Sequence, residues 1–187
     1  MTDLPTIFQK TNVKQTASSL VTLIIIIVSL LLLAGLSWAL IRANQGQIRS
    51  GPAPDFSVRL FDGRTFILGE QRAKIVLINF WASWCIPCRV EAPELNTIWR
   101  EYQDRGVVLV GVDYLDTEID AHNFLQEFNV QYANGADIGT KIADNFHVKA
   151  VPETYIVDKQ GNIAITFPAP TTAITLRPIL DNLLAQK

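Results

Sequence analysis

The chain has little of what commonly announces a function. Its 187 residues include two cysteines, two histidines and one methionine. Two cysteines exclude a disulfide framework, and they exclude a four-cysteine zinc site completed within one chain. There is no basic excess either: 16 Lys and Arg against 18 Asp and Glu give a formal net charge of −2. A balance of that sign argues against a protein that neutralises nucleic-acid phosphates, so no nucleic-acid partner is expected. Charged residues make up only 18% and hydrophobic ones 49%. Aromatic and branched apolar residues are plentiful enough to exclude a disordered or collagen-like chain. No internal repeat is visible, and no low-complexity tract follows the first 54 residues.

The hydrophobicity is concentrated at one end. No residue from Gln15 to Ile41 is ionisable, and the centre of that run is Leu20-Val-Thr-Leu-Ile-Ile-Ile-Ile-Val-Ser-Leu-Leu-Leu-Leu-Ala34. About 20 apolar residues in a helix span a hydrocarbon core of about 30 Å. A buried core helix rarely runs so far without a charge. A cleaved signal peptide usually has an apolar region of about 7–15 residues ending at a small-x-small site. The present run is longer, and Ser37-Trp38-Ala39 matches such a site weakly, so an uncleaved membrane anchor is expected. Lys10 and Lys14 precede the run while Arg42 and Arg49 follow it, and the rule that places positive flanks inside the cell is tied.

The expected organisation is a tail over residues 1–16, a transmembrane helix over 17–41, a linker over 42–54 and one soluble domain over 55–187. Gly46, Gly51, Pro52 and Pro54 mark the linker. Within the domain, Asp62-Gly63 between Phe56–Leu60 and Thr65–Leu68 signals a hairpin. Lys74–Phe80 and Val107–Val112 are almost continuously apolar, as strands covered on both faces are. Helices are expected over about 86–104, over 117–128 with a start at Thr117 and Asp120, and from Asp137 to Phe146. Thr154–Val157 and Ile163–Phe167, separated by a short turn, form an antiparallel pair. A last helix occupies roughly 173–186, with Pro178 implying a true start near Thr175. Strands alternating with helices predict an α/β sandwich with a partly parallel central sheet.

Both cysteines lie in Trp81-Ala-Ser-Trp-Cys85-Ile-Pro-Cys88, between an apolar strand and a helix. At a helix N-terminus, unpaired backbone N–H groups and the positive end of the dipole favour a thiolate. That placement predicts Cys85 as the more exposed nucleophile and Cys88 as the resolving thiol. Half of a zinc site shared between chains would need ligands that are not nearby. A purely structural bridge closing so small a loop would stabilise little. Covalent haem attachment needs a histidine where this chain has Arg89. A peroxidase would need a separate peroxidatic thiol. A redox-active dithiol is the reading that remains.

The Trp-Cys-x-x-Cys motif, together with Val151-Pro152-Glu153-Thr154 before a later strand, resembles the thioredoxin superfamily. More narrowly, Asn79-Phe-Trp-Ala-Ser-Trp-Cys-Ile-Pro-Cys-Arg-Val-Glu-Ala-Pro93 resembles its membrane-anchored, extracytoplasmic branch. That branch comprises the TlpA and ResA proteins and the DsbE (CcmG) thiol:disulfide interchange proteins of cytochrome c maturation. Gly111-Val-Asp-Tyr114 and Val151-Pro-Glu-Thr-Tyr-Ile-Val-Asp158 are similar to the DsbE type, and the likeness covers roughly residues 52–185. It implies a thioredoxin-like fold, a central mixed sheet flanked by helices with an N-terminal hairpin extension.

The resemblance also implies roles. Cys85 and Cys88 are the catalytic pair. Glu91, one helical turn after Cys88, is a partly buried acid that tunes them; a solvated helix glutamate is the plainer alternative. Pro152 is the cis-proline beside the dithiol, and Val151 offers its backbone to an extended substrate. Trp84 belongs either to the docking surface or to the packing, and Trp81 to the core. Asn79 stands where cytosolic thioredoxins carry a buried aspartate. His122 and His147 receive no role, and neither cofactor nor metal is implied. The implied partners are apocytochrome c or a cytochrome c maturation protein, a membrane electron donor of the CcdA or DsbD type, and the plasma (inner) membrane, with the domain on its extracytoplasmic side. A broader TlpA-like reductase or oxidase, and a non-catalytic docking module, are the alternatives.

Overall fold

The computed structural model describes the backbone of residues 13–43 and 46–186. Of the expected tail, residues 1–12 lie outside the described residues, as do residues 44 and 45 of the expected linker. The chain divides into two units, Met1–Gln45 and Gly46–Lys187. The first contains helix α1, Val13–Ala43. Its segment Val21–Leu40 is uncharged and exposed along its length, and is long and apolar enough to cross a membrane.

The second unit is built around a six-stranded sheet. In chain order its elements are β1 (Gly51–Pro52), β2 (Ser57–Arg59), β3 (Thr65–Ile67), β4 (Ile75–Trp81), α2 (Ile86–Tyr102), β5 (Val107–Asp113), α3 (Glu118–Glu127), β6 (Ala133–Ala136), α4 (Lys141–Phe146), β7 (Glu153–Val157), β8 (Asn162–Phe167) and α5 (Ala173–Ala185). The sheet order is β1-β8-β7-β4-β5-β6, and β2 and β3 form a separate hairpin. Strand β5 runs parallel to β4 and β6, whereas β7 is antiparallel to both β4 and β8. The mixed α/β sheet expected from the alternation of strands and helices is the one observed.

All seven residues of β4 are buried, because both sides of the sheet are covered. Ile75 and Leu77 pack with Leu95 and Ile98 of α2 and Leu176 and Leu180 of α5. Val76, Ile78 and Phe80 point the other way, to Phe56 and Phe66 of the hairpin layer, Phe146 and Tyr155. The strand's period of two therefore aims Asn79 at the α2 side. That single fact sets the chemistry of the site described below.

Several elements differ from the expectation: β6 was not among the expected strands, and α4 begins at Lys141, not at Asp137. Helix α5 begins at Ala173, not near Thr175: Thr172 caps it by accepting from Thr175 N, and Pro178 lies inside it. Pro178 has no N–H to donate to the Ile174 carbonyl, and both residues are exposed, where water can replace the lost bond. Residues from Gly46 onward are also bound to the sheet. Gln47 Nε2 donates to Glu153 Oε2 at 2.7 Å, Thr166 Oγ1 donates to the Ile48 carbonyl at 2.8 Å, and β1 pairs with β8.

Candidate active site

The dithiol sits where β4 becomes α2. Cys85 is the N-cap of α2, in an extended conformation, and its Sγ accepts from Cys88 N at 3.2 Å. Pro87 falls in the first turn, where its missing N–H would have had no helical partner. Cys85 and Cys88 are joined as a disulfide, with Cα atoms 5.3 Å apart. The expected difference in exposure is small: Cys85 is 4% exposed and Cys88 2%. Both are packed with Trp81, Ala82, Ala92 and Phe124. Trp81 is core, stacked on Phe124 with ring centroids 4.4 Å apart, and its Nε1 donates to Asn134 Oδ1 at 2.9 Å.

The antiparallel register of β4 and β7 places Phe80 opposite Glu153 and Asn79 opposite Thr154. It thereby delivers the residues just before β7 to the end of β4. The Val151–Pro152 bond is cis, and the Val151 carbonyl oxygen lies 3.3 Å from Cys85 Sγ. Trp84 is 57% exposed. Its indole Nε1 donates to the Leu115 carbonyl at 3.2 Å, and Leu115 and Ile86 are themselves exposed. An uncovered apolar patch thus adjoins the dithiol.

Glu91 is 1% exposed, so the solvated alternative is excluded by the structure. Its Oε2 accepts from Asn79 Nδ2 at 2.9 Å, and its Oε1 accepts from Thr171 N at 2.8 Å and from Thr171 Oγ1 at 2.9 Å. Asn79 Nδ2 also donates to Thr154 Oγ1 at 3.0 Å, leaving that hydroxyl free to donate to Glu91. Burial pushes the Glu91 carboxyl above its ordinary value, and the donors from Thr171, Asn79 and Thr154 oppose that rise in part. Burial is the larger influence on this carboxyl and its four donors the smaller, so it holds a proton more readily than an exposed glutamate does.

The site residues named from sequence fall into two sets. Cys85, Cys88, Trp84, Val151 and Pro152 meet at one end of the sheet. Glu91 lies one turn along α2 from Cys88, and its partners come from β4, β7 and the start of α5. Thr154 and Thr171 were missed. The signal for Thr154 was its place next to Glu153 in the apolar run of β7; nothing local marks Thr171. His122 lies on the surface of α3, 3.8 Å from Glu118, and His147 ends α4 with Nδ1 3.2 Å from the Gly46 carbonyl.

The profile of the AhpC/TSA family matches residues 50–166. The chain belongs to the AhpC/TSA family. It is 33% identical over 111 residues to thiol-disulfide oxidoreductase ResA of Bacillus cereus, a match covering 59% of this chain and 64% of that protein. It is 42% identical over 113 residues to thiol:disulfide interchange protein HelX of Rhodobacter capsulatus, covering 60% and 62%. The matches therefore span less than two thirds of these relatives' length. A solved Chlorobium tepidum structure described under the name thiol:disulfide interchange protein DsbE superposes with a TM-score of 0.69 at 25% identity, over 75% of this chain and 100% of that one. The fold of this AhpC/TSA member is thioredoxin-like, and the resemblance to the ResA and DsbE type drawn from its motifs is shown.

Proposed function

We propose that this AhpC/TSA member is a membrane-tethered, extracytoplasmic thiol:disulfide oxidoreductase that reduces disulfides of apocytochrome c or of a cytochrome c maturation partner. The observation that carries the reading is the Cys85–Cys88 disulfide at the N-terminus of α2, with the Val151 carbonyl 3.3 Å from Cys85 Sγ. The names of the ResA and HelX relatives support the chemistry, and α1 supports the tether. A membrane electron donor of the CcdA or DsbD type would return the pair to the dithiol.

In the reduced protein, Cys85 thiolate attacks one sulfur of the substrate disulfide. A Cys85–substrate disulfide forms and the other substrate sulfur leaves as thiolate. Cys88 then gives its proton to Glu91, directly or across one water, and attacks Cys85 Sγ. The Cys85–Cys88 disulfide closes and the second substrate sulfur leaves, so two electrons have passed from chain to substrate. Helix α2 stabilises the thiolate of Cys85 through its terminal N–H groups, of which Cys88 N is one. Val151 offers backbone to an extended segment beside Pro152, and Trp84 offers an apolar face.

Cys88→Ala leaves the attack intact and removes the resolving step. In intact membranes it should accumulate an adduct through Cys85 that dissolves on addition of dithiothreitol, and Cys85→Ser should accumulate none. If the Cys88→Ala chain forms no cysteine-dependent adduct and the unaltered chain reduces no protein disulfide, the reading is wrong. Trp84→Ala should raise KM for a protein disulfide about tenfold, with a smaller loss in kcat, because an exposed aromatic anchor contributes mainly to docking. A change confined to kcat would assign the indole to the chemistry instead.

A further inference from the structure

Beyond the cysteines and Glu91, one more acid is buried against the redox turn. Asp113 ends β5, opposite Trp81 of β4 and Ala136 of β6. It is 2% exposed, and its Oδ1 has no hydrogen-bond partner among the described residues. Its side chain is within hydrogen-bonding reach of Asp116. Asp116 in turn holds the turn that carries the dithiol. Its Oδ2 accepts from Ser83 N at 2.6 Å and its Oδ1 from Ser83 Oγ at 2.8 Å. The neighbouring Leu115 carbonyl takes the Trp84 indole. The loop after β5 therefore grips the two residues immediately before Cys85.

We propose that Asp113 is a positioning residue of the redox turn: in its protonated form it donates to Asp116 and so keeps the Asp116 carboxylate fixed on Ser83. Two carboxylates cannot share this contact, because like charges at hydrogen-bonding distance repel and one of them must hold a proton. The buried one is Asp113. Its unpartnered Oδ1 costs much less as the carbonyl oxygen of a neutral acid than as half of a carboxylate. The charged groups acting on it come from both flanking segments and both are acids, Asp116 and Asp137. Asp137 is committed elsewhere, accepting from Ile142 N at 3.0 Å and from Ala143 N at 2.7 Å. On β4 the facing residue is Trp81, which carries no charge. Burial, with the repulsion of Asp116 next, lifts the Asp113 carboxyl to about 8. Above that pH Asp113 ionises, the half-buried Asp116 is driven outward, and Ser83 loses its clamp.

The consequence for turnover rests on the thiol:disulfide reading; the latch itself does not. It is read on the full chain in detergent micelles with the disulfide closed, so that no cysteine titrates. The side-chain carboxyl carbons of Asp113 and Asp116 are followed by NMR from about pH 6 to about pH 10. Asp113 should titrate with a midpoint near 8, and Asp116 should show a step at the same midpoint. In Asp113→Asn, whose amide still donates, that Asp116 step should vanish. Reduction of a small aromatic disulfide by the reduced chain gives the second readout. The ratio of the Asp113→Asn rate to the wild-type rate should grow about tenfold between the two ends of the range, as misplacement of a reacting group costs rate. Asp113→Ala, which lacks the donor, should be slow throughout. An Asp113 carboxyl that titrates in the ordinary range, or an Asp116 step that persists in Asp113→Asn, overturns the proposal. A chain that shows both carboxyl steps and reduces no disulfide would retain the latch and lose the proposed function.

Discussion

Glu91→Gln should slow the decay of the Cys85–substrate mixed disulfide by about 10²-fold, at the lower end of what a positioned general base contributes. The formation of the mixed disulfide should change much less. The division follows from position. Cys85 is served by the helix N-terminus, whose N–H groups are present in both proteins, whereas Cys88 has the carboxylate one turn away on its own helix face. Gln keeps the shape and the contacts to Thr171 but cannot take a proton. Acid-quenched, single-turnover trapping with a thiol-alkylating tag separates the two steps. Equal slowing of both would make Glu91 a purely structural group.

The pH dependence separates the roles further. Burial raises the Glu91 carboxyl, so the wild-type resolution rate should climb as pH rises through that raised value. The limb should be missing in Glu91→Gln. Stability runs the opposite way. A carboxyl whose value is raised by folding contributes stability that is complete below the unfolded value and lost as pH rises through the folded one. Asp113 shares that sign, and its loss extends to about pH 8. The wild-type protein should therefore lose resistance to denaturant from about pH 4 to pH 8, and Glu91→Gln should flatten the slope. Buried acids of this kind are a cost to the fold, one that the proposed reaction would use.

Much of this arrangement is legible in the letters, and the remainder fails for identifiable reasons. Strands β4 and β5 declare themselves because burial on both faces demands a continuous apolar run, and Lys74–Phe80 and Val107–Val112 can be little else. The cap of α3 is readable because Thr117 and Asp120 carry it locally: Thr117 Oγ1 accepts from Asp120 N at 3.1 Å. Strand β6 is not readable. Asn134-Gly135 has the composition of a turn, yet it pairs with β5 because the space is tight. A Cβ on Gly135 would collide with the Arg59 backbone, and no branched residue could stand there. The site divides in the same way. Cys85, Cys88 and Glu91 share one local motif, so their spacing is visible. Thr171 reaches Glu91 across 80 positions, and Asp116 reaches Ser83 across 33. Register and topology set those pairings, and no window of sequence contains both partners. Only Asp113 leaves a trace, an acid closing a strand that is otherwise apolar.

Phe146→Ala should cost about 3–5 kcal/mol of folding stability, the largest loss from any single truncation proposed for this fold. The ring is fully buried at the end of α4. It meets Phe56 at 5.8 Å, Phe80 at 5.5 Å and Tyr155 at 5.0 Å between centroids. Three stiff rings on a hairpin layer and two central strands cannot close over the vacated volume, so the cavity term adds to the lost transfer free energy. Phe146→Leu fills most of that volume and should cost about 1 kcal/mol. The comparison, made by denaturant unfolding of the full chain in micelles, isolates packing from helix effects, since both replacements are good helix formers. Equal losses in the two variants would mean that the site collapses freely and that the aromatic cluster is not rigid. The position also bears on the chemistry. The Tyr155 hydroxyl lies 2.9 Å from the Phe146 carbonyl and against the Glu153 carboxylate, next to Pro152. A slack cluster in Phe146→Ala should therefore loosen the loop that presents Val151 to Cys85. Its KM for a protein disulfide should rise at temperatures well below its unfolding transition, while that of Phe146→Leu should stay near wild type.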